Sequence, residues 1–142
     1  EQVEDEIRDI AVSSQVSEVA AISAVRKAMV SLQRLAGKQK GIVMDGRDIG
    51  TVVFPEAELK IFLTASFEER VRRRVAQLRR KGIEVNQLDI EKNLKHRDHI
   101  DSTRADSPLR QAEDAILIDN TNLKEEEQLV IALNLAKERI NQ

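Results

Sequence analysis

The segment Asp45-Gly46-Arg47-Asp48-Ile49-Gly50 sets two carboxylates and a guanidinium in one loop, which its two glycines allow to turn tightly. It follows the apolar run Ile42-Val43-Met44. Asp45 is thereby placed at a strand end, where phosphoryl-transfer enzymes hold a carboxylate near their metal. Charges of both signs in one turn suit a zwitterionic ligand. On these residues alone, a charged turn closed by its own ion pair is the alternative.

A second group lies between Leu88 and Thr103, a segment whose pattern predicts a helix. Ile90, Leu94, Arg97, Asp101 and Arg104 recur at helical spacing and share one face, apolar at its start and charged at its end. A merely solvated face would not continue the line of core residues, so the charged end is expected to face a ligand. A ladder of helical ion pairs is the competing reading. The run from Arg70 to Lys81 carries seven cations in twelve residues. Such a helix serves an RNA face, a membrane face or a solvated surface, and beside nucleotide phosphates its arginines could neutralise developing charge. His96 and His99 have no companion at ligand spacing and read as surface residues.

These residues need elements to hold them. Apolar spacing predicts a helix over Val3–Ile10 and a longer one from about Ser17 to Ala36, with Val19, Ile22, Val25, Met29, Leu32 and Leu35 on the buried face. Gly41–Met44, Leu59–Leu63 and Ala115–Ile118 read as short buried strands. Ser66, with Glu69 three residues on, forms a capping box for a helix carrying Val71, Val75 and Leu78 inward and stopping at Gly82. Asn122 is the expected cap of a last helix with Leu129, Leu133, Ala136 and Ile140 in its stripe. Alternating strands and helices imply an α/β fold with a parallel sheet, and such sheets gather their chemistry at the strands' carboxyl ends.

Composition narrows the classes. With 41% hydrophobic and 34% charged residues, the 142-residue chain suits one globular domain. Three Phe are the only aromatics, which disfavours base-stacking sheets. The net charge of −2 disfavours a general polyanion binder, and the absence of Cys excludes disulfides and thiolate metal sites. No apolar run is long enough to span a membrane, so a cytoplasmic location is expected. The start at Glu1, without Met, gives the expectation of a fragment, a trimmed chain or one piece of a longer one.

Taken together, the motifs resemble the bacterial-type cytidylate kinase family. The resemblance is carried by Asp45 through Pro55 (DGRDIGTVVFP), by Arg97 through Arg104 (RDHIDSTR), by Ser107-Pro108-Leu109 and by the stretch from Ser17 to Arg26. It implies a parallel sheet with flanking helices of the P-loop nucleoside monophosphate kinase type, here without the first, central strand and its Walker A loop. The five glycines introduce no Gly-Lys-Ser or Gly-Lys-Thr.

The implied activity is Mg-ATP-dependent phosphorylation of CMP and dCMP, with ATP as co-substrate and Mg2+ as cofactor. By motif position Ser17, Arg97 and Asp101 would face the ribose, and Arg26, Asp48 and Arg104 the cytosine. Arg47 would meet the monophosphate, Asp45 would stand near the magnesium, and Arg70, Arg73 and Arg74 would be lid residues that reach phosphates. The expected organisation is one partial kinase domain over 1–142. Residues 1–36 form the CMP-binding insert and following helix, 37–65 and 105–142 the core, and 66–104 the lid region. Without the phosphate loop the chain alone is expected to be inactive. No nucleic-acid or membrane partner is expected, and unpaired strand edges could drive self-association. A non-catalytic nucleotide- or RNA-binding module and a strand-swapped oligomer are the alternatives.

Overall fold

The computed structural model describes Val12 and residues 15–141, so the helix expected over Val3–Ile10 lies outside the described residues. In chain order the elements are α1 (Val16–Ala21), α2 (Ser23–Ala36), a short 3-10 turn (Gly37–Gln39), a π-helical turn (Ile49–Val53), β1 (Ile61–Thr64), α3 (Phe67–Arg80), α4 (Gln87–Thr103), β2 (Ile116–Asp119) and α5 (Glu125–Ile140). No helix among the described residues is long and apolar enough to cross a membrane.

The two strands pair in parallel, Ile61 beside Ile116 and Thr64 beside Asp119. The ladder extends through Ile116 N to Lys60 O at 2.9 Å and Asn120 N to Thr64 O at 2.8 Å. Parallel neighbours need a long crossover; here it is α3 and α4. The Ser66 hydroxyl accepts from Glu69 N at 3.2 Å, so α3 starts at the cap its sequence encodes. Val71, Val75 and Leu78 then meet Ile90 of α4 in a buried cluster, flanked by Phe67, Ile83, Val85 and Leu94. Gly82, at φ 74, makes the turn between the helices in the left-handed region that glycine tolerates.

Several expectations are corrected. Gly41–Met44 forms no strand. A strand exists only through hydrogen bonds to a neighbour, and β1 and β2 are the only strands among the described residues. The backbone enters the segment through Lys40 and Gly41, both at positive φ, and Val43 is fully exposed. The helix expected over Ser17–Ala36 breaks at Ile22, which is extended and whose carbonyl accepts from Arg26 N as α2 begins. Val19, Ile22, Met29, Leu32 and Leu35 are exposed rather than buried. The face of α2 turned inward instead carries Arg26 and Val30, because Arg26 and Arg34 both bond to the 48–53 segment. The last helix is capped at Lys124, not Asn122, with Lys124 N donating to the Glu127 carboxylate at 2.8 Å. Its Leu129, Leu133 and Ile140 are exposed. Leu63 and Leu117 are exposed as well, so both faces of the two-stranded sheet remain partly open.

Candidate functional site

The loop from Asp45 to Asp48 runs directly into the π-helical turn, in which Val53 N bonds to Asp48 O at 3.2 Å and Phe54 N to Ile49 O at 2.7 Å. Single π turns of this kind re-aim side chains and recur at functional sites. The turn is held from outside. Arg34 of α2 donates to the carbonyls of Val52 at 2.6 Å and Val53 at 3.2 Å, and Val53 itself is buried. A side chain at Gly37 would collide with the Phe54 ring, its Cβ coming within 2.4 Å, so glycine lets α2 close onto this turn.

So anchored, the loop turns Asp48 into the protein, where it is 2% exposed. Arg26 Nη1 donates to Asp48 Oδ1 at 2.9 Å. Asp48 Oδ2 and Arg26 Nε are buried without partners. Arg47, the residue just before it, stays half exposed and donates from Nε to Asp101 Oδ2 at 2.9 Å. Asp101 is buried near the end of α4, its second oxygen 3.5 Å from Arg104 Nη1. Arg104, also buried, donates from Nε and Nη2 to the Ser107 carbonyl at 2.9 and 2.6 Å. Ser107 turns that carbonyl inward at a φ of 53, in the left-handed region. Leu109 N bonds back to Asp101 O at 2.7 Å and closes the segment.

The face predicted on α4 does run inward, with Ile90 and Leu94 in the core and Asp101 buried beyond them. Between them Arg97 is half buried, and its Nε meets no partner. Ser17 of α1 is 2% exposed. The tie between α1 and α4 is His96 Nε2 to Glu18 at 2.7 Å, which joins the neighbours of Arg97 and Ser17. The bond from His96 lowers the Glu18 pKa, and the Arg97 charge adds to the effect. Burial pushes the Arg104 guanidinium down, helped by the Arg26 charge and opposed by Asp101 and Asp48.

The cluster therefore sets three guanidiniums, Arg26, Arg47 and Arg104, against the two carboxylates Asp48 and Asp101, while the charge of Arg97 is felt by Glu18 and Arg74. Its excess positive charge suits an anion, and its unpartnered buried donor and acceptor suit a polar ligand. Buried polar groups without partners cost free energy that a ligand's own groups can offset.

The other predicted residues lie elsewhere. Asp45 is exposed on the loop. The described residues contain no group of three or more His, Asp or Glu side chains able to hold a metal. Arg70 Nη1 bonds both oxygens of Asp98, at 3.0 and 2.7 Å, and lies over the Phe67 ring. Arg73 reaches Glu69 at 2.7 Å and both the side chain and carbonyl of Asn120. Arg74 bonds Gln77 at 2.7 Å. Burial lowers its pKa, and the Arg97 charge lowers it further. Arg34 and the Glu18–His96 tie were not visible in the sequence, and Ser107, though part of the Ser107-Pro108-Leu109 motif, gave no sign of the carbonyl contact it makes with Arg104, because such partners are distant or are backbone carbonyls without a side-chain signature.

A family model described as cytidylate kinase matches residues 1–138. A protein named cytidylate kinase from Parabacteroides distasonis is 57% identical over 126 residues, covering 89% of this chain and 55% of the relative. The correspondingly named proteins of Phocaeicola vulgatus and Flavobacterium johnsoniae are 59% and 54% identical, over 89% and 97% of this chain and 55% and 60% of their own lengths. The chain thus spans little more than half the length of these curated relatives.

Proposed function

The chain belongs to the cytidylate kinase family, and from that premise we propose that its buried charged cluster reads the nucleoside monophosphate in an ATP-dependent phosphorylation of CMP and dCMP. The observation that carries this reading is that Asp48 Oδ2 and Arg26 Nε are buried without partners, within the field of Arg104 and Asp101. Cytosine offers a donor at its N4 amino group and acceptors at O2 and N3. Asp48 Oδ2 accepts from the amino group, while Arg26 and the remaining donors of Arg104 serve the acceptors. Ser17, Arg97 and Asp101 serve the ribose, and Arg47, the half-exposed cation, serves the phosphate. Uracil would set a carbonyl against Asp48 and lose about 1–3 kcal/mol for each unsatisfied group.

Mg2+ at nucleotides takes one or two carboxylates, with phosphate and water completing its shell. A single exposed carboxylate, Asp45, fits that limited demand. Asp45 would help to hold Mg2+, whose chemistry there would be to neutralise phosphate charge. The protein's own part is positioning: the cluster orients the acceptor phosphate. Arg70, Arg73 and Arg74 lie on the segment 66–104 that we assign as the lid, between core segments 37–65 and 105–142 of a P-loop nucleoside monophosphate kinase fold, with the CMP insert in 1–36. The bonds of Arg70, Arg72 and Arg73 to Asp98, Glu69 and Asn120 occupy much of the basic helix within the fold. That favours the nucleotide reading over an RNA face. Self-association through the free strand edges remains a separate proposal, which light scattering at several concentrations tests.

Calorimetry with CMP and UMP tests the central reading. CMP is expected to bind at least tenfold more tightly, and Asp48→Asn to erase the preference. Equal binding of the two nucleotides, or none, defeats it. No Gly-x-x-x-x-Gly-Lys-Ser/Thr run occurs in these residues, so CDP formation by the 142-residue chain alone is expected to be absent.

A further inference from the structure

Asp101 and Arg47 stand 54 positions apart in the chain and meet at 2.9 Å. The pair is asymmetric, since the Asp101 side chain is 6% exposed and that of Arg47 is 48% exposed. Both oxygens of Asp101 face guanidiniums, Oδ2 that of Arg47 and Oδ1 that of Arg104. Arg104 is buried and fixed twice to the Ser107 carbonyl, so it cannot readily withdraw. Arg47 can.

Asp101 is thus not ready to accept a sugar hydroxyl at Oδ2. Removing Arg47 without replacement would leave a buried carboxylate with one long contact, which is unfavourable. A ligand carrying only base and sugar would have to displace Arg47 and give it nothing in return. A ligand carrying a phosphate offers Arg47 a dianionic partner of bidentate geometry at the same time.

We infer that the Arg47–Asp101 ion pair is an exchangeable placeholder that makes ribose recognition conditional on the 5′-phosphate, so that this site selects nucleotide over nucleoside. The inference rests on the monophosphate-reading function proposed above. In the empty site Arg47 guards Asp101. The phosphate draws Arg47 away, and Asp101 Oδ2 turns to the sugar hydroxyl. Because the two events share one guanidinium, phosphate and ribose binding are positively coupled, and the coupling is reciprocal.

Calorimetry on the full chain with cytidine, CMP and inorganic phosphate tests the coupling. In the unsubstituted protein, saturating phosphate is expected to tighten cytidine binding by about five- to tenfold, within the usual range for coupled sites. Arg47→Gln is expected to bind cytidine more tightly than the unsubstituted protein, to lose the response to phosphate, and to bind CMP more weakly. If Arg47→Gln does not fold, the response of the unsubstituted protein to phosphate decides alone. Cytidine binding indifferent to phosphate, in a protein that binds CMP, would overturn the placeholder and leave the functional reading intact. Failure to bind CMP at all would overturn that reading and the inference with it.

Discussion

Arg26 on α2 holds only one oxygen of Asp48, at 2.9 Å, and leaves the other buried without a donor. A structural ion pair would be expected to satisfy both. The carboxylate is thus held by one contact, with its second oxygen left able to accept another.

The first consequence concerns stability. Asp48 is 2% exposed and the Arg26 side chain 14% exposed, so removing the arginine strands a buried charge. Arg26→Ala is expected to lower unfolding free energy by roughly 3 kcal/mol, as breaking other buried pairs does. Arg26→Ala combined with Asp48→Asn should recover part of that loss, because no charge then remains unpaired. Urea denaturation of the four proteins in the cycle measures the coupling.

The helical hairpin depends on Leu78, which is 2% exposed among Val71, Val75 and Ile90. Leu78→Ala is expected to cost about 3 kcal/mol through lost burial and the cavity left behind. Leu129→Ala, at a position 57% exposed on α5, should change stability far less. Thermal denaturation of both variants separates a working core position from an apolar residue that merely shares helical spacing.

That contrast marks how far the sequence could be read. Where local chemistry suffices, it was legible: the cap at Ser66, the inward line Val71-Val75-Leu78, and the face running from Ile90 to Asp101. The strand expected at 41–44 and the stripes of α2 and α5 failed on neighbours that the sequence does not show, whereas the break at Ile22 and the cap at Lys124 are local differences. The run Ile42-Val43-Met44 has the composition of a buried strand, but strand pairing is non-local and no described segment pairs with it as a strand. The stripes of α2 and α5 satisfy helical period without meeting a surface to cover them, and period alone does not say which face is chosen. For α2 the choice follows from Arg26 and Arg34, whose partners lie about twenty residues away. The site was legible as residue types. Its pairings, Arg47 with Asp101 and Arg104 with Ser107, were not, because tertiary distance leaves no trace in spacing.

The cap of α3 supplies a smaller, local test. The Ser66 hydroxyl accepts from Glu69 N at 3.2 Å, and Ser66 N donates to the Thr121 hydroxyl at 2.8 Å, tying the helix start to the end of β2. Ser66→Ala removes only the first of these bonds and is expected to cost about 1 kcal/mol. Ser66→Asp should restore the cap and add a favourable charge at the helix amino end. Chemical denaturation of the three proteins distinguishes a capping role from a packing one.

Acid should loosen the same region through Glu69. Two arginines, Arg72 at 2.6 Å and Arg73 at 2.7 Å, hold its carboxylate. The bond from Arg72 leads in lowering its pKa from 4.5 to about 2, with Arg73 adding to the effect. The depressed value fixes the sign: the stabilising contribution is fully present above the ordinary value of 4.5 and is lost as pH falls through about 2. Nothing attributable to Glu69 should change between pH 5 and 8. A carbon-detected NMR titration is expected to place the Glu69 midpoint well below those of unpaired glutamates. Arg72→Gln should move it upward more than Arg73→Gln, because Arg72 makes two bonds to the carboxylate and Arg73 only one. A Glu69 midpoint near 4.5 in the unsubstituted protein would show that the two arginines do not hold it in solution. Arg73, which also joins α3 to Asn120 at the end of β2, would then have to be anchored by Asn120 alone.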